Sequence, residues 1–295
     1  VLMSPRPTAL ALSLLAPALL VLVVLLVLPL GYLIHYSFHE APMGQSATGP
    51  ATLANYQEIF ADTYYARVLF KTIWMSAVVT VAALLIGYPM AYFMWRWVRR
   101  WRGLITVVVL SPILVSIVVS AFGWTVLLGT HGLVNQLLIA IGLTERPIKI
   151  MHTDVAILIG LTHVALPFLI LSVLAALERI DPILKEAART LGAPRWQVFR
   201  HVVLPLSLPG IISGTTLAFS LSMATYVAPA VLGGSGANFI STLIYHHLIV
   251  LLEWPLGAAV AAVLLVVALT IVFVYLRFWS MFGGVAAQGR AHAGS

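Results

Sequence analysis

The sequence predicts an all-α, polytopic membrane bundle of about six transmembrane helices. Three observations predict it. The 295 residues are 61% hydrophobic and only 8% charged, against about 25% charged in an ordinary soluble domain. The apolar residues fall in runs of about 20, the length that crosses the hydrocarbon core. The basic residues gather in short segments between those runs, the pattern of membrane topology. A water-soluble surface cannot be covered with so few charges, so lipid is the solvent that fits.

The elements follow in order. A short cytoplasmic N-terminus, 1–9, precedes a first span near 10–35. The apolar run from Leu10 to Ile34 exceeds the roughly 7–15 residues of a secretory core, and no small-x-small site closes it, so it is read as a retained span. The external segment 37–66 places Leu53, Tyr56, Phe60 and Tyr64 at helical spacing. That predicts a short amphipathic helix, which either packs on the bundle or meets an extracytoplasmic partner. Further spans lie near 68–94, 104–128, 154–177, 208–231 and 255–281. The more polar stretch 129–153 reads as an external connection with a short, partly buried helix from Leu133 to Ile141. One membrane domain, 10–282, thus accounts for the chain, with a flexible tail at 283–295 rich in Gly and Ala.

Orientation follows from Lys and Arg. One side collects Arg6, Arg96, Arg99, Arg100, Arg102, Arg179, Lys185, Arg189, Arg195, Arg200, Arg277 and Arg290, leaving Arg67, Lys71, Arg146 and Lys149 on the other. The richer side is predicted cytoplasmic, with both termini inside. Trp95, Trp97, Trp101, Trp254 and Trp279 fall near span ends, where aromatic belts sit. The net charge of +7 is therefore a topology signal. No basic stretch interleaved with aromatics suggests nucleic acid, and the absence of Cys excludes a disulfide framework or thiolate metal site.

The longest connection on the basic side, 178–207, has more structure than a connection needs. Asp181 is a good N-cap and Pro182 suits the first helical position. Ile183, Leu184, Ala187, Ala188 and Leu191 share one face, with Lys185, Glu186 and Arg189 opposite. Gly192 stands where a left-handed C-terminal residue is wanted. Ala193 and Pro194 open a second helix bearing Trp196, Phe199 and Val203 on one face; Pro205 is expected to stop it and Pro209 to lead into the fifth span. The result is two amphipathic helices at a sharp corner, an elbow able to pass a push from a soluble partner to the spans.

The same residues carry a resemblance. Glu186-Ala187-Ala188, Gly192, Val202, Leu204 and Pro205 keep the spacing of the loop in binding-protein-dependent ABC permeases, departing only in Val202 for Ile. Leu53-Ala54-Asn55-Tyr56, Gly87-Tyr88-Pro89, Gly123-Trp124, Gly132-Leu133-Val134-Asn135 and Trp254-Pro255-Leu256-Gly257-Ala258-Ala259 resemble the first permease of the spermidine/putrescine subgroup. The chain departs from many relatives at Ile113 and Ser120, where they carry an aromatic and an arginine. The resemblance implies a type I ABC importer (MetI-like) permease fold in a bacterial inner membrane. It also implies a second, different permease chain, two ABC ATPase subunits that bind the ATP and Mg, and an extracytoplasmic solute-binding protein. The coupling residues implied are Glu186, Ala187, Ala188, Arg189, Gly192, Leu204 and Pro205. Glu186 would make a polar contact with the ATPase, the two alanines would permit close approach, and Gly192 would fix the corner. The solute implied is a polyamine or related small amine or organic solute.

The chain has no phosphate loop: Lys71, Lys149 and Lys185 are its lysines, and none follows a glycine. Zinc-protease and serine-hydrolase motifs are also missing, so no catalytic residue is assigned. His246 and His247 are adjacent and would point about 100° apart on a helix, a poor metal pair. His163 is the clearest ionisable group inside a span. The fifth span opens with Ser213, Gly214, Thr215, Thr216, Ser220, Ser222, Thr225 and Tyr226, which suits either close helix packing or a solute path. Trp124, His163, Ser222, Thr225 and Tyr226 are the candidate path residues. Two other classes stay open: a secondary transporter driven by an ion gradient, and an intramembrane enzyme. The first would need buried carboxylates and inverted repeats, the second convergent catalytic groups at membrane depth. Either would work as an autonomous chain.

Overall fold

The computed structural model describes residues 7–40, 49–97, 101–234 and 238–291. Arg6, Arg99 and Arg100 of the basic side lie outside them. Among the described residues there is no β-strand beyond a single bridge between His39 and Ala51. The helices are α1 Pro7–Ser37, α2 Ala54–Ala61, α3 Thr63–Arg96, α4 Arg102–Leu114, α5 Ile117–Leu128, α6 Leu133–Ala140 and α7 Asp154–Glu178. They continue as α8 Pro182–Thr190, α9 Arg195–Val198, α10 Leu204–Ala224, α11 Val227–Leu232, α12 Ile240–Tyr245 and α13 Trp254–Ala291, with π-helical turns at Phe199–Val203 and His246–Val250.

Six of the described segments are long and apolar enough to cross a membrane. Four match the expected spans within a few residues at their apolar cores. The helix α13 continues to Ala291, into the stretch expected as a flexible tail, and residues 292–295 lie outside the description.

The third and fifth spans correct the sequence reading. The run 104–128 is not one helix: Val115 and Ser116 are extended, with ψ 138° and 133°, and the span-length segment falls at Ile117–Ala140. Pro112 weakens the turn before the break, because it has no N–H for the Val108 carbonyl four residues back. The Ser111 hydroxyl donates to that carbonyl instead, at 2.7 Å, and the helix ends just after the proline, at Leu114. The run 208–231 breaks in the same way at Thr225, which is extended with ψ 124°. Pro229 cannot donate to the Thr225 carbonyl; the Ser241 hydroxyl does so, at 3.0 Å. Apolar periodicity runs through both breaks and does not register them.

The chain forms two compact units, 1–65 with 243–265, and 66–242 with 266–295. In the first, α1 is apolar along its length with no buried residue in its most apolar stretch. The face of α2 is a second correction. Asn55 and Ile59 pack inward, while Leu53 and Phe60 of the predicted face are 57% and 77% exposed. Hydrogen bonding chose the face. The Asn55 side chain donates to the Ser37 and His39 carbonyls, both at 2.9 Å, and the Tyr56 hydroxyl pairs with that of Ser37 at 2.7 Å. Near the start of α13, His247 pairs with Glu253 at 2.9 Å and lies 3.4 Å from the Tyr65 hydroxyl.

The second unit is organised around α7, the most buried of the spans. Ala165, Leu169, Val173 and Leu177 are fully buried along it. Gly87 of α3 and Gly210 of α10 meet its surface where a Cβ would collide, at 2.7 and 2.6 Å, and Gly214 of α10 where a Cβ would be tight, at 3.1 Å. Small residues let helices approach in lipid, where no hydrophobic force drives association.

The helix α6 is held by one buried residue. Asn135, 1% exposed, donates to the Gly129 and Ile148 carbonyls at 3.0 Å each and accepts the Ile148 N–H at 2.8 Å. Asn135→Ala should cost about 1–3 kcal/mol, since it leaves buried backbone groups unpaired. Thermal unfolding in detergent, with faster exchange of the Ile148 amide, is the check; unchanged exchange would refute the clamp.

Candidate functional site

The elbow between α7 and α10 is built by its own local chemistry. The Asp181 carboxylate accepts the Ile183 N–H at 2.9 Å, and Pro182 fills the first turn of α8. No residue of α8 is buried. Ile183 and Leu191 are 67% and 88% exposed, and Glu186, Ala187 and Arg189 are exposed beside them. The helix is thus capped and well formed, with an apolar face left uncovered. Gly192 then turns the chain at φ +82°. Its N–H donates to the Arg189 carbonyl at 2.9 Å, and the Ala193 N–H to the Ala188 carbonyl at 3.1 Å, closing the helix end. Open space lies where a Cβ would go, so the requirement for glycine is backbone conformation.

The second limb overturns one expectation. Pro205 does not stop it, and the fifth span does not begin at 208. From Arg195 the helix passes through the π turn at Phe199–Val203 and runs on to Ala224 as one rod. The Leu204 N–H bonds five residues back to Phe199, and this wider turn accommodates the Pro205 ring that an α-helical register would reject. Half-buried Leu204 and exposed Pro205 therefore sit inside a continuous helix.

The inner side of the elbow leans on the end of α3. Tyr88, Tyr92 and Trp95 recur there at helical spacing and share one face. Phe199 meets Tyr88 and Tyr92 edge-on, with centroids 6.2 and 5.3 Å apart, and stacks on Trp196 at 5.6 Å. The Tyr88 hydroxyl lies 3.1 Å from that of Ser207 in α10. Lys185 Nζ sits 4.1 Å over the Trp95 ring. Burial holds the Lys185 ammonium below its usual range, and the neighbouring Arg189 and Arg96 charges push the same way, against Glu186. Lys185 thus ties α8 to α3 through Trp95, and Phe199 ties the start of the rod to the same helix. The sequence reading gave Trp95 only an anchoring role and missed this cradle; the spacing of Tyr88, Tyr92 and Trp95 was its one signal.

The path residues are placed less closely together. Trp124 of α5 and His163 of α7 meet edge-to-face at 5.6 Å, both half-buried. Ser222 is buried and its hydroxyl donates to the Ala218 carbonyl of its own helix at 2.7 Å. Thr225 and Tyr226 stand at the break after α10.

The chain is similar to known transport proteins. Residues 80–280 match the family described as binding-protein-dependent transport system inner membrane component. The chain is 37% identical over 228 residues to the spermidine/putrescine transport system permease protein PotB of Haemophilus influenzae, covering 77% of this chain and 79% of that one. It is 33% identical over 254 residues to the inner membrane ABC transporter permease protein YdcU of Escherichia coli, covering 81% and 79%. A chain from the crystal structure of a bacterial ABC transporter that imports the acidic polysaccharide alginate superposes with a TM-score of 0.73 over 91% of this chain and 94% of that one, at 22% identity. That last likeness establishes the type I importer permease fold. The family match over more than half the chain, with the fold, makes this protein a member of the binding-protein-dependent transport system inner membrane components: it is a membrane permease subunit of an ABC importer, not an enzyme, and its ATPase is a separate subunit.

Proposed function

We propose that this permease forms the path for a polyamine or a related small amine delivered by an extracytoplasmic binding protein. It works beside a second, different permease and two ATPase subunits, which hold the ATP and Mg. The relatives named for spermidine and putrescine support the solute class. Both termini and the elbow face the cytoplasm, as the distribution of Lys and Arg favours.

The observation that carries the coupling reading is the uncovered face of α8, rigidly cornered at Gly192 and braced behind by Trp95 and Phe199. Closure of the ATPase pair pulls α8, and the rod through Leu204 and Pro205 turns the fifth span. Glu186 makes a polar contact with the ATPase, Arg189 flanks it, and Ala187 and Ala188 let the two surfaces approach. Trp124, His163, Ser222, Thr225 and Tyr226 line the solute path, where the faces of Trp124 and Tyr226 suit a cation.

Reconstitution of the full complex in proteoliposomes tests this. Labelled spermidine or putrescine should accumulate only with ATP, binding protein and ATPase all present. Uphill uptake without the ATPase would refute the coupling reading, and ATP-dependent uptake of a different solute class with polyamines excluded would refute the solute.

A further inference from the structure

The inner side of the elbow, behind the exposed apolar face of α8, holds a second feature, which shares Glu186 and Arg189 with the proposed coupling surface. A cavity of about 510 Å³ lies between the ends of α3 and α7 and the elbow. Arg96, Lys185, Arg189 and Arg195 line it together with Glu178 and Glu186, and Tyr92, Trp95 and Phe199 form its apolar walls. Cations therefore outnumber carboxylates on its wall. Among the described residues, none of these four cations has a carboxylate within 4 Å. Arg96 donates to the Tyr92 hydroxyl at 2.7 Å, which neutralises nothing, and Lys185 faces the Trp95 ring. Burial first, and then the like charges of Arg189 and Arg96, disfavour the Lys185 ammonium against the pull of Glu186, and an anion among these four cations would offset their excess positive charge.

The cavity takes Trp95 and Arg96 from the end of the α3 span, and the exposed Trp97 and Trp101 follow in the chain, where tryptophans sit at headgroup level. A basic pocket between membrane helices at that level matches the phosphate of an acidic lipid, with guanidinium forks to bind its oxygens. We propose that this cavity binds the phosphate group of an anionic phospholipid, and that the bound lipid sets how firmly the elbow is held against α3. The proposal rests on the reading above that the elbow faces the inner leaflet.

The test uses the whole complex in detergent, titrated with phosphatidylglycerol, phosphatidylcholine or inorganic phosphate and read by native mass spectrometry. Saturable retention of phosphatidylglycerol over phosphatidylcholine is expected. Each charge removed should weaken it about fivefold, so Arg96→Gln with Arg195→Gln should weaken it about 25-fold. Competition by inorganic phosphate at concentrations equal to the lipid's would support the phosphate site and assign it to the free ion. Arg195→Gln alone, at an exposed position, gives the single-charge step if the double variant does not assemble, and Arg195→Lys should retain binding. Equal lipid retention in wild type and Arg195→Gln would overturn the proposal. So would loss of the ATPase subunit from the variant with lipid retention unchanged, which would assign the cations to that protein instead. Failure here leaves spermidine uptake and ATPase dependence intact, whereas failure of the coupling reading abolishes those first.

Discussion

Gly192→Val is expected to uncouple the importer. Gly192 holds φ at +82°, a conformation that costs a residue bearing a Cβ about 1–2 kcal/mol, with the β-branched residues worst placed. Nothing crowds the position, so the variant can fold and insert; the energy is lost in the angle between α8 and the rod. A shift of that size changes the population of the working corner about 5–30-fold. Solute uptake by the reconstituted complex should fall by that factor, while ATP hydrolysis persists without stimulation by loaded binding protein. Gly192→Asn should fall less, because asparagine tolerates the left-handed region. Uptake by the valine variant equal to wild type would remove the corner from the mechanism.

Gly210→Val should have the largest structural effect. A Cβ at Gly210 would lie 2.6 Å from the Ala176 Cβ, 2.6 Å from the Ser172 carbonyl oxygen and 3.0 Å from the Val173 Cα. Backbone atoms of the most buried span cannot step aside as a flexible side chain would. Gly214, one turn on, approaches the Leu169 Cα at 3.1 Å by the same measure, so the two glycines form one seam between α10 and α7. Overpacking typically costs about 1–3 kcal/mol, and a collision with backbone belongs at or above the top of that range. The yield of monodisperse protein and its thermal midpoint in detergent should drop sharply. Gly123→Ala, where nothing lies within 4 Å, should be neutral in the same assay. Equal stability of Gly210→Val and wild type would mean that α7 and α10 do not pack in this register.

Sequence alone determined the solvent, four of the six spans and the first limb of the elbow, because each is set by neighbours in the chain. Charge depletion and run length require lipid whatever the helices touch. Asp181, Pro182 and Gly192 act within one or two turns, so the cap, first turn and left-handed corner of α8 were legible before any contact was known. The tertiary structure decided what depends on partners far along the chain. Pro112 and Pro229 each orphan a carbonyl. Ser111 is near enough to Val108 to be noticed, but Ser241 reaches Thr225 only in the fold. Asn55 chose the buried face of α2 by bonding to the Ser37 and His39 carbonyls, against the apolar stripe of Leu53 and Phe60. The brace of Tyr88, Tyr92 and Trp95 became visible only when Phe199 and Lys185 were laid against it. Capping and periodicity are local terms, whereas satisfying a backbone carbonyl or filling an aromatic cradle requires groups that only the folded chain brings within reach.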